Sequence, residues 1–245
     1  MKPSLLLFSF FTLSLLFTSG LQAQEGMVLI PAAGGQPAFY LDKTEVTQGP
    51  YQTFQEQTIY RRTPEFAAKK VHGPDYPVRL STWFHAAHFC SWAGKRLPTV
   101  EEWNRAAGKG KRVYPWGDEK LDSTRANFCD INCVTPWHDI LQDDTFERYS
   151  KAGSFPAGAT PEGILDMAGN LWEWTSTIAK TGKSLDWKGE NYENAELDYF
   201  MVIKGGSYGS KPTQLKNEDS AESPINFRSS HVGFRCAKDV EVKGK

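Results

Sequence analysis

The sequence predicts a single α+β domain of irregular architecture, built from short helices and short strands. Aromatic residues make up 13% of the 245-residue chain, which also contains 21 glycines and 14 prolines. Such a composition favours many turns and aromatic packing over long helices. Hydrophobic periodicity is confined to short segments and disappears after Gly108. No internal repeat and no linker between two cores is visible, so one domain over residues 24–245 is expected.

The N-terminus has the pattern of a secretory signal peptide. Lys2 precedes an apolar run, LLLFSFFTLSLLFTSG, and Ala23 lies at a small-residue cleavage site. Serines and threonines interrupt the run and no basic cluster follows it, which argues against a membrane anchor. We therefore expect residues 1–23 to be cleaved and the protein to be exported, with no membrane span in the mature chain.

The charge balance does not point to nucleic acid or to an anionic membrane. The 28 Lys and Arg residues nearly balance the 29 Asp and Glu residues. A nucleic-acid-binding domain usually carries a basic surplus or stripe, so no nucleic-acid partner is expected.

The first elements are two strands and a helix. Residues 27–32, MVLIPA, have the pattern of a short strand, and residues 38–47 that of a second strand leading into a helix. Thr47 is the predicted N-cap of this helix, QGPYQTFQEQ. Residues 56–77 are basic and irregular, which predicts a surface loop.

Two further helices are predicted on either side of the sequence KRLP. Residues 81–95 form the stronger pattern, with Ser81 as its cap and Gly94 at its end. Thr99 and Glu102 have the spacing of a capping box, which begins the next helix.

The middle of the chain is a long segment without periodicity. Residues 114–158 are polar and rich in turn residues, and loops of this length are usually functional or held by an additional constraint. Either a disulfide or a bound cation could be the constraint that holds this segment. Three buried strands are predicted after it, over residues 170–177, 199–208 and 231–239.

The four cysteines predict two disulfides. An even number of cysteines in an exported chain is typical of disulfides. The sequence contains no C-x-x-C pair, so a zinc site is not expected. Cys129 and Cys133 are close together in CDINC and are expected to pair. Cys90 would then pair with Cys236 and join the middle of the chain to its end.

Five motifs are informative together because they occur in a fixed order along the chain. They are KRLPTVEEWNRAA, YPWGDE, LDMAGNLWEWTST, VIKGGSY and VGFRCAKD. In this order they resemble the formylglycine-generating enzyme family, also called the sulfatase-modifying-factor domain, over residues 26–239. The resemblance implies an irregular α+β fold related to C-type lectin-like domains, and it supports the disulfide between Cys90 and Cys236.

The resemblance also implies calcium with a structural role. Ca²⁺ binds about six to eight oxygens, a mixture of carboxylates and backbone carbonyls. The first implied site has four ligand residues: Asp166, Gly169, Leu171 and Glu173. The second implied site has four others: Asn127, Phe128, Asp144 and Phe146.

Two observations weaken the calcium prediction. The family usually has Gly at the position of Thr145, next to the second site. From the residues alone, Asp166 and Glu173 could instead cap turns and form ion pairs with arginines such as Arg96.

The segment GGSYGSKPTQL contains the positions of the family's copper centre. Enzymes of this family have two copper-binding cysteines there, and an ungapped count places Ser210 and Leu215 at those positions. Cu(I) prefers soft thiolates, a hydroxyl is a poor ligand for it, and leucine offers no ligand atom. We therefore expect neither bound copper nor formylglycine formation.

Ser207 matches the G-x-S-x-G pattern of a serine-hydrolase elbow, but its neighbours do not. An elbow requires a strand, a turn and then a helix, and Pro212 would disrupt a helix here. A catalytic Asp or Glu and then a His must follow, and only His231 is available. A close approach of the backbone is the favoured explanation of these glycines.

These observations favour an exported, non-catalytic protein that acts through protein contacts. By resemblance, one such role is that of a periplasmic regulator of the threonine-phosphorylation pathway that controls type VI secretion. Its partner would be a membrane receptor or a kinase sensor domain. Residues 209–227 would cover the former active-site groove, and four residues form the predicted contact face: Tyr208, Lys211, Lys216 and Asn217.

The alternative is an oxidoreductase or a tailoring enzyme on the same scaffold, of the formylglycine-generating or siderophore-maturation type. It would need new ligands in the groove, where Tyr208, Ser210 and His231 are the available side chains.

Overall fold

The computed structural model describes residues 25–62, 73–185 and 199–241. The predicted signal peptide and part of the basic loop predicted over residues 56–77 lie outside these ranges. Within the described ranges, no helix is both long enough and apolar enough to cross a membrane.

Two small sheets organise the described chain. The first contains β1 (Met27–Ile30), β2 (Phe39–Asp42) and β7 (Ala237–Asp239), in the order β1-β2-β7, and all its pairs are antiparallel. The second contains four strands in the order β5-β4-β3-β6, which are β3 (Trp172–Ile178), β4 (Phe200–Lys204), β5 (Ala221–Pro224) and β6 (Val232–Gly233). Strand β3 pairs in parallel with β6, and the other two pairs are antiparallel.

Residues 231–239 were predicted to be one strand, and this prediction is wrong in one respect. The segment contributes β6 to the second sheet and β7 to the first, with Phe234 and Cys236 buried between them. It thereby joins the two sheets, a long-range arrangement that the apolar pattern alone does not reveal.

The described residues contain three α-helices: α1 (Gln48–Gln57), α2 (Trp83–Trp92) and α3 (Val100–Ala107). Thr47 is the N-cap of α1, as predicted, although its side chain makes no capping hydrogen bond. The predicted Thr99–Glu102 capping box of α3 is confirmed, and Gly108 ends this helix in the left-handed conformation with φ of 81°.

The predicted cap of α2 was wrong by one residue. The N-cap is Thr82, whose hydroxyl accepts a hydrogen bond from the backbone N–H of His85. The Nδ1 atom of His85 in turn accepts from the backbone N–H of Thr82 at 3.1 Å. The imidazole thus takes the place of the Glu side chain in an ordinary capping box.

The main hydrophobic core lies between α1, α2 and the second sheet. Its centre is aromatic: Phe89 lies 5.6 Å from Phe54 and 5.6 Å from Phe234, measured between ring centroids. Trp83 on α2 also donates to the backbone oxygen of Thr175 on β3 at 2.8 Å. Aromatic packing therefore replaces long regular elements, as the composition predicted.

Both predicted disulfides are present. Cys90 on α2 is bonded to Cys236 next to β7, and Cys129 is bonded to Cys133. Between Gly108 and Pro156 the described chain has turns and isolated bridges but no α-helix or β-strand, as predicted. The short disulfide is one of the constraints that hold this segment.

Candidate functional site

The turn after β4 is held against the loop before β3. Gly205 and Gly206 have φ of 99° and 77°, a region that favours glycine. The N–H of Gly169 donates to the backbone oxygen of Gly205 at 2.8 Å, and the N–H of Tyr208 donates to that of Asn170 at 2.9 Å. The glycines therefore serve a close backbone approach, as predicted.

A group of hydroxyls and one imidazole lies at the end of this turn. Ser207 and Ser210 are buried, and the hydroxyl of Ser210 accepts a hydrogen bond from the backbone N–H of Ser207 at 3.0 Å. The ring of Tyr208 stacks on His231 with centroids 4.3 Å apart. Ser207 Oγ lies 3.4 Å from His231 Nδ1, so the turn places Tyr208, Ser210 and His231 in one site.

This geometry does not form a hydrolase triad. A 3₁₀ helix, Pro212–Leu215, follows the turn in place of the α-helix of an elbow. The other ring nitrogen of His231 lies 3.4 Å from the hydroxyl of Tyr208, and within the described residues no carboxylate bonds to this imidazole. Burial, together with the charge of Arg148, lowers the pKa of His231.

The two positions at which the sequence resemblance implies copper-binding cysteines, Ser210 and Leu215, offer no sulfur. Ser210 is buried within the turn. Leu215 is only 1% exposed and packs with Ala126, Phe128 and Ala168 in a small hydrophobic cluster. All four cysteines of the chain are in disulfides, so no thiol is left to occupy the site.

The predicted contact face is only partly at the surface. Lys211 and Lys216 are exposed and Tyr208 is half-buried, but Asn217 is 1% exposed, so its inclusion was wrong. Its side-chain NH₂ donates to the backbone oxygens of Ala107 and Arg112. These bonds fix the end of α3, which makes the residue structural.

The first implied calcium site lies in a buried ionic cluster. Arg235 donates three hydrogen bonds to the Glu173 carboxylate, at 2.6 to 2.9 Å, and Trp103 Nε1 donates a fourth at 2.8 Å. A carboxylate has about four lone-pair positions, so those of Glu173 are already used. In this arrangement Glu173 does not fit calcium coordination.

The ion pairs of this cluster differ from those considered in the sequence. Glu173 pairs with Arg235, whereas Arg96 pairs with Glu102 and Asp239. Asp166 has φ of 55° and accepts a hydrogen bond from the backbone N–H of Gly153 at 2.5 Å.

Glu45 also belongs to the cluster, which the sequence reasoning missed. It accepts hydrogen bonds from Asn170 Nδ2 and from the backbone N–H of Leu171. Burial, followed by the charges of Asp166 and Glu173, raises the pKa of Glu45, and burial raises the pKa of Asp166 to about 6. In the sequence, Glu45 is distinguished only as an acidic residue within a segment that otherwise has a strand-like pattern.

The second implied site fits calcium better. The side-chain oxygen of Asn127 is buried and has no hydrogen-bond partner among the described residues, although its NH₂ donates to the backbone oxygen of Arg148. Asp144 is also buried, and its carboxylate accepts hydrogen bonds from the backbone N–H groups of Phe128, which follows Asn127, and of Phe146. Burial and the nearby Asp130 raise the pKa of Asp144 to about 7.

Burying an amide oxygen without a hydrogen bond, or a carboxylate without a counter-charge, costs free energy. A hard cation that binds both oxygens would offset these costs. Within the described residues, however, no three His, Cys, Asp or Glu side chains are grouped as they would be around one metal ion. Backbone carbonyls would therefore have to complete the coordination.

Comparison with known proteins identifies the family. The chain is 32% identical to a formylglycine-generating enzyme of Thermomonospora curvata, covering 74% of this chain and 61% of that protein. It is also 32% identical to an inactive Cα-formylglycine-generating enzyme 2 of Bos taurus, covering 66% of this chain and 50% of that protein. The chain thus spans about half of the length of these relatives.

The fold agrees with this. The solved structure of PvdO from Pseudomonas aeruginosa matches with a TM-score of 0.60 at 18% identity, covering 83% of this chain and 81% of that one. The family model for the sulfatase-modifying factor enzyme 1-like domain matches residues 21–240. The chain therefore belongs to the sulfatase-modifying factor family, with the irregular α+β fold that the sequence predicted.

Proposed function

We propose that this protein is a non-catalytic member of its family that acts through contacts with another protein. One observation carries the proposal: Ser210 and Leu215 occupy the expected positions of the copper-binding cysteines. Both are buried, one in hydrogen bonds and one in hydrophobic packing.

The remaining side chains of the turn do not replace the missing thiolates. Cu(I) is bound by soft sulfur ligands, whereas this turn offers hydroxyls, one imidazole and one phenol. The serines and His231 also hydrogen-bond to one another. A relative whose name states that it is inactive, the bovine protein, supports the idea that this scaffold is used without catalysis.

The biological role that we propose is the regulation, from the periplasm, of the threonine-phosphorylation pathway that controls type VI secretion. The partner would be the sensor domain of a kinase or a membrane receptor. The signal-peptide pattern of residues 1–23 supports export, and the motif set supports the regulator role by resemblance.

Calcium is the only metal that we propose, and its role is structural. The Asn127 and Asp144 side chains would hold it, together with backbone oxygens of Phe128 and Phe146. Bound there, it would neutralise a buried carboxylate in a segment that lacks regular secondary structure.

The decisive experiment is a formylglycine assay. The purified protein is incubated with copper, oxygen and a sulfatase peptide that contains the target cysteine, and aldehyde formation is followed by mass spectrometry. We expect no conversion, whereas an active family enzyme assayed in parallel converts the peptide. Conversion by this protein would overturn the proposal.

A tailoring enzyme is the second candidate, because the hydroxyls of Ser207 and Tyr208 each lie 3.4 Å from a ring nitrogen of His231. Elemental analysis separates the two functions. Copper or iron at one equivalent per chain would favour the enzyme, and calcium without either would favour the contact protein.

A further inference from the structure

A loop beside the candidate site, residues 129–142, has an unusually apolar surface and contains the short disulfide. We call it the apolar loop. The disulfide joins Cys129 to Cys133, and the N–H of Asp139 donates to the backbone oxygen of Cys129 at 2.9 Å. The loop is also attached to the turn of the site, since Trp137 Nε1 donates to the backbone oxygen of Gly209 at 3.2 Å.

Although it is held by these bonds, the loop directs its large apolar side chains outward. Of the ten exposed large hydrophobic residues in the described part of the chain, five lie in this loop: Ile131, Val134, Trp137, Ile140 and Leu141. Val134 is 95% exposed and Leu141 is 86% exposed.

Such a concentration requires an explanation. Single exposed apolar residues are ordinary, but clustered ones mark interaction surfaces. A loop that is pinned at its start by a disulfide and held along its length by backbone hydrogen bonds loses less conformational entropy on binding than a free loop does. The arrangement therefore has the properties of a preorganised docking surface.

The charge around the apolar loop indicates the chemistry of the partner. Residues 129–147 contain five acidic side chains and no Lys or Arg, but Asp130 and Asp144 are buried, so three of the five carry surface charge. Asp143 and Glu147 are exposed, and Asp139 is partly exposed. These three carboxylates outnumber the exposed cations next to the loop, Arg148 and Lys211, and the acidic excess favours a partner that carries positive charge.

We propose that the apolar loop docks a protein segment that presents apolar side chains together with Lys or Arg residues. This inference rests on the proposed function, since it assumes action through protein contacts, and it adds the surface and the chemistry of the partner. It also moves the main contact from Lys216 and Asn217 to the loop next to Lys211, whose ammonium lies 5.5 Å from the ring of Trp137.

The test uses a random 12-residue peptide library displayed on phage, selected against the purified protein. We expect the enriched peptides to be both apolar and positively charged, and to bind more weakly as salt is added. Their affinity is then measured with synthetic peptides for wild type and for a loop variant, Val134→Ser/Ile140→Ser/Leu141→Ser.

The loop variant should bind these peptides at least about tenfold more weakly, which is the size expected for losing central apolar contacts. The matched control is Ile59→Ser/Phe227→Ser, which removes exposed apolar residues elsewhere (74% and 51% exposed) and should leave affinity unchanged. Thermal unfolding by circular dichroism confirms that both variants are folded.

Each other outcome overturns the inference. Enriched peptides that are acidic, or that bind the loop variant as well as wild type, would place the contact elsewhere and leave the proposed function intact. Failure to enrich any loop-dependent peptide would also refute the docking surface. Loop-dependent binding to phosphatidylglycerol vesicles, or loop-dependent self-association by light scattering, would replace the peptide partner by a membrane or by a second copy.

Discussion

Arg235 lies among three buried carboxylates, those of Glu45, Asp166 and Glu173. Burial opposes its charge, but the adjacent Glu173 and the other two carboxylates raise the pKa of the guanidinium. Removing one member of such a group leaves an uncompensated buried charge, which is more costly than the pair itself is stabilising.

We therefore expect Arg235→Leu to lower the free energy of unfolding by about 3–5 kcal/mol. Urea titration followed by circular dichroism measures this. Lys151→Met, which breaks the exposed pair with Asp75, is the matched control and should cost less than about 1 kcal/mol. Equal losses in the free energy of unfolding for the two substitutions would show that burial does not determine how much these ion pairs matter for stability.

Asn127 is the residue that distinguishes the two implied calcium sites. If its unpaired oxygen is a ligand, calcium should raise the melting temperature of wild type, because a ligand that binds only the folded state stabilises it. Asn127→Leu should abolish this increase, whereas Asp166→Asn, at the other site, should retain it. Loss of the increase in Asp166→Asn alone would instead place calcium in the first site.

Helix α2 shows how a titratable group can serve a structural element. His85 closes the capping box with Thr82 and is buried, and burial lowers its pKa from 6.5 to about 4. Between these two pH values the unfolded chain binds a proton at this position and the folded chain does not. This group's contribution to stability is therefore present above about pH 6.5 and is lost as the pH falls toward 4.

The substitution His85→Gln tests this pH dependence of stability. At pH 7 the wild type should be more stable than this variant, and the difference should shrink by about 2–3 kcal/mol as the pH falls to 4. Urea unfolding at a series of pH values gives the difference directly, and other titrating groups cancel in the comparison. A difference that does not change with pH would show that this imidazole is not the titrating cap.

Elements were predictable from the sequence wherever their signals are local. The Thr99–Glu102 capping box and the two buried strands are encoded by a few adjacent residues. The cap of α2 was misplaced because Ser81 and Thr82 have equivalent capping chemistry, and only tertiary structure chooses between them.

The candidate site was predictable only in part. Ser210 and Leu215 follow from motif spacing, but the participation of Glu45 and Arg235 depends on contacts between distant parts of the chain. The exposure of the apolar loop was not predicted, because the identity of an apolar residue such as Val134 or Leu141 does not reveal whether it is buried or exposed. Periodicity, which would separate these cases, does not exist in an irregular segment.

At the scale of the whole molecule, the two disulfides should differ in their effect on stability. Cys90 and Cys236 are separated by 146 positions, and Cys129 and Cys133 by 4. In the chain-entropy model the stabilisation grows with the logarithm of the loop length.

Replacing Cys90 and Cys236 by Ser should thus cost about 5 kcal/mol, and replacing Cys129 and Cys133 by Ser about 2 kcal/mol. Urea unfolding of the two double variants under identical buffer conditions measures both values. A larger loss of stability on removing the short disulfide would show that it also stabilises parts of the irregular segment outside residues 129–133.

The segment from β6 to β7, residues 232–239, has a consequence for folding. It supplies the second strand partner of β2, the guanidinium for Glu173 and the sulfur for Cys90. A nascent polypeptide that stops short of residue 232 lacks all three, and contacts of such high sequence separation form slowly. Such a polypeptide should therefore complete neither sheet, because it lacks β7 of the first and β6 of the second.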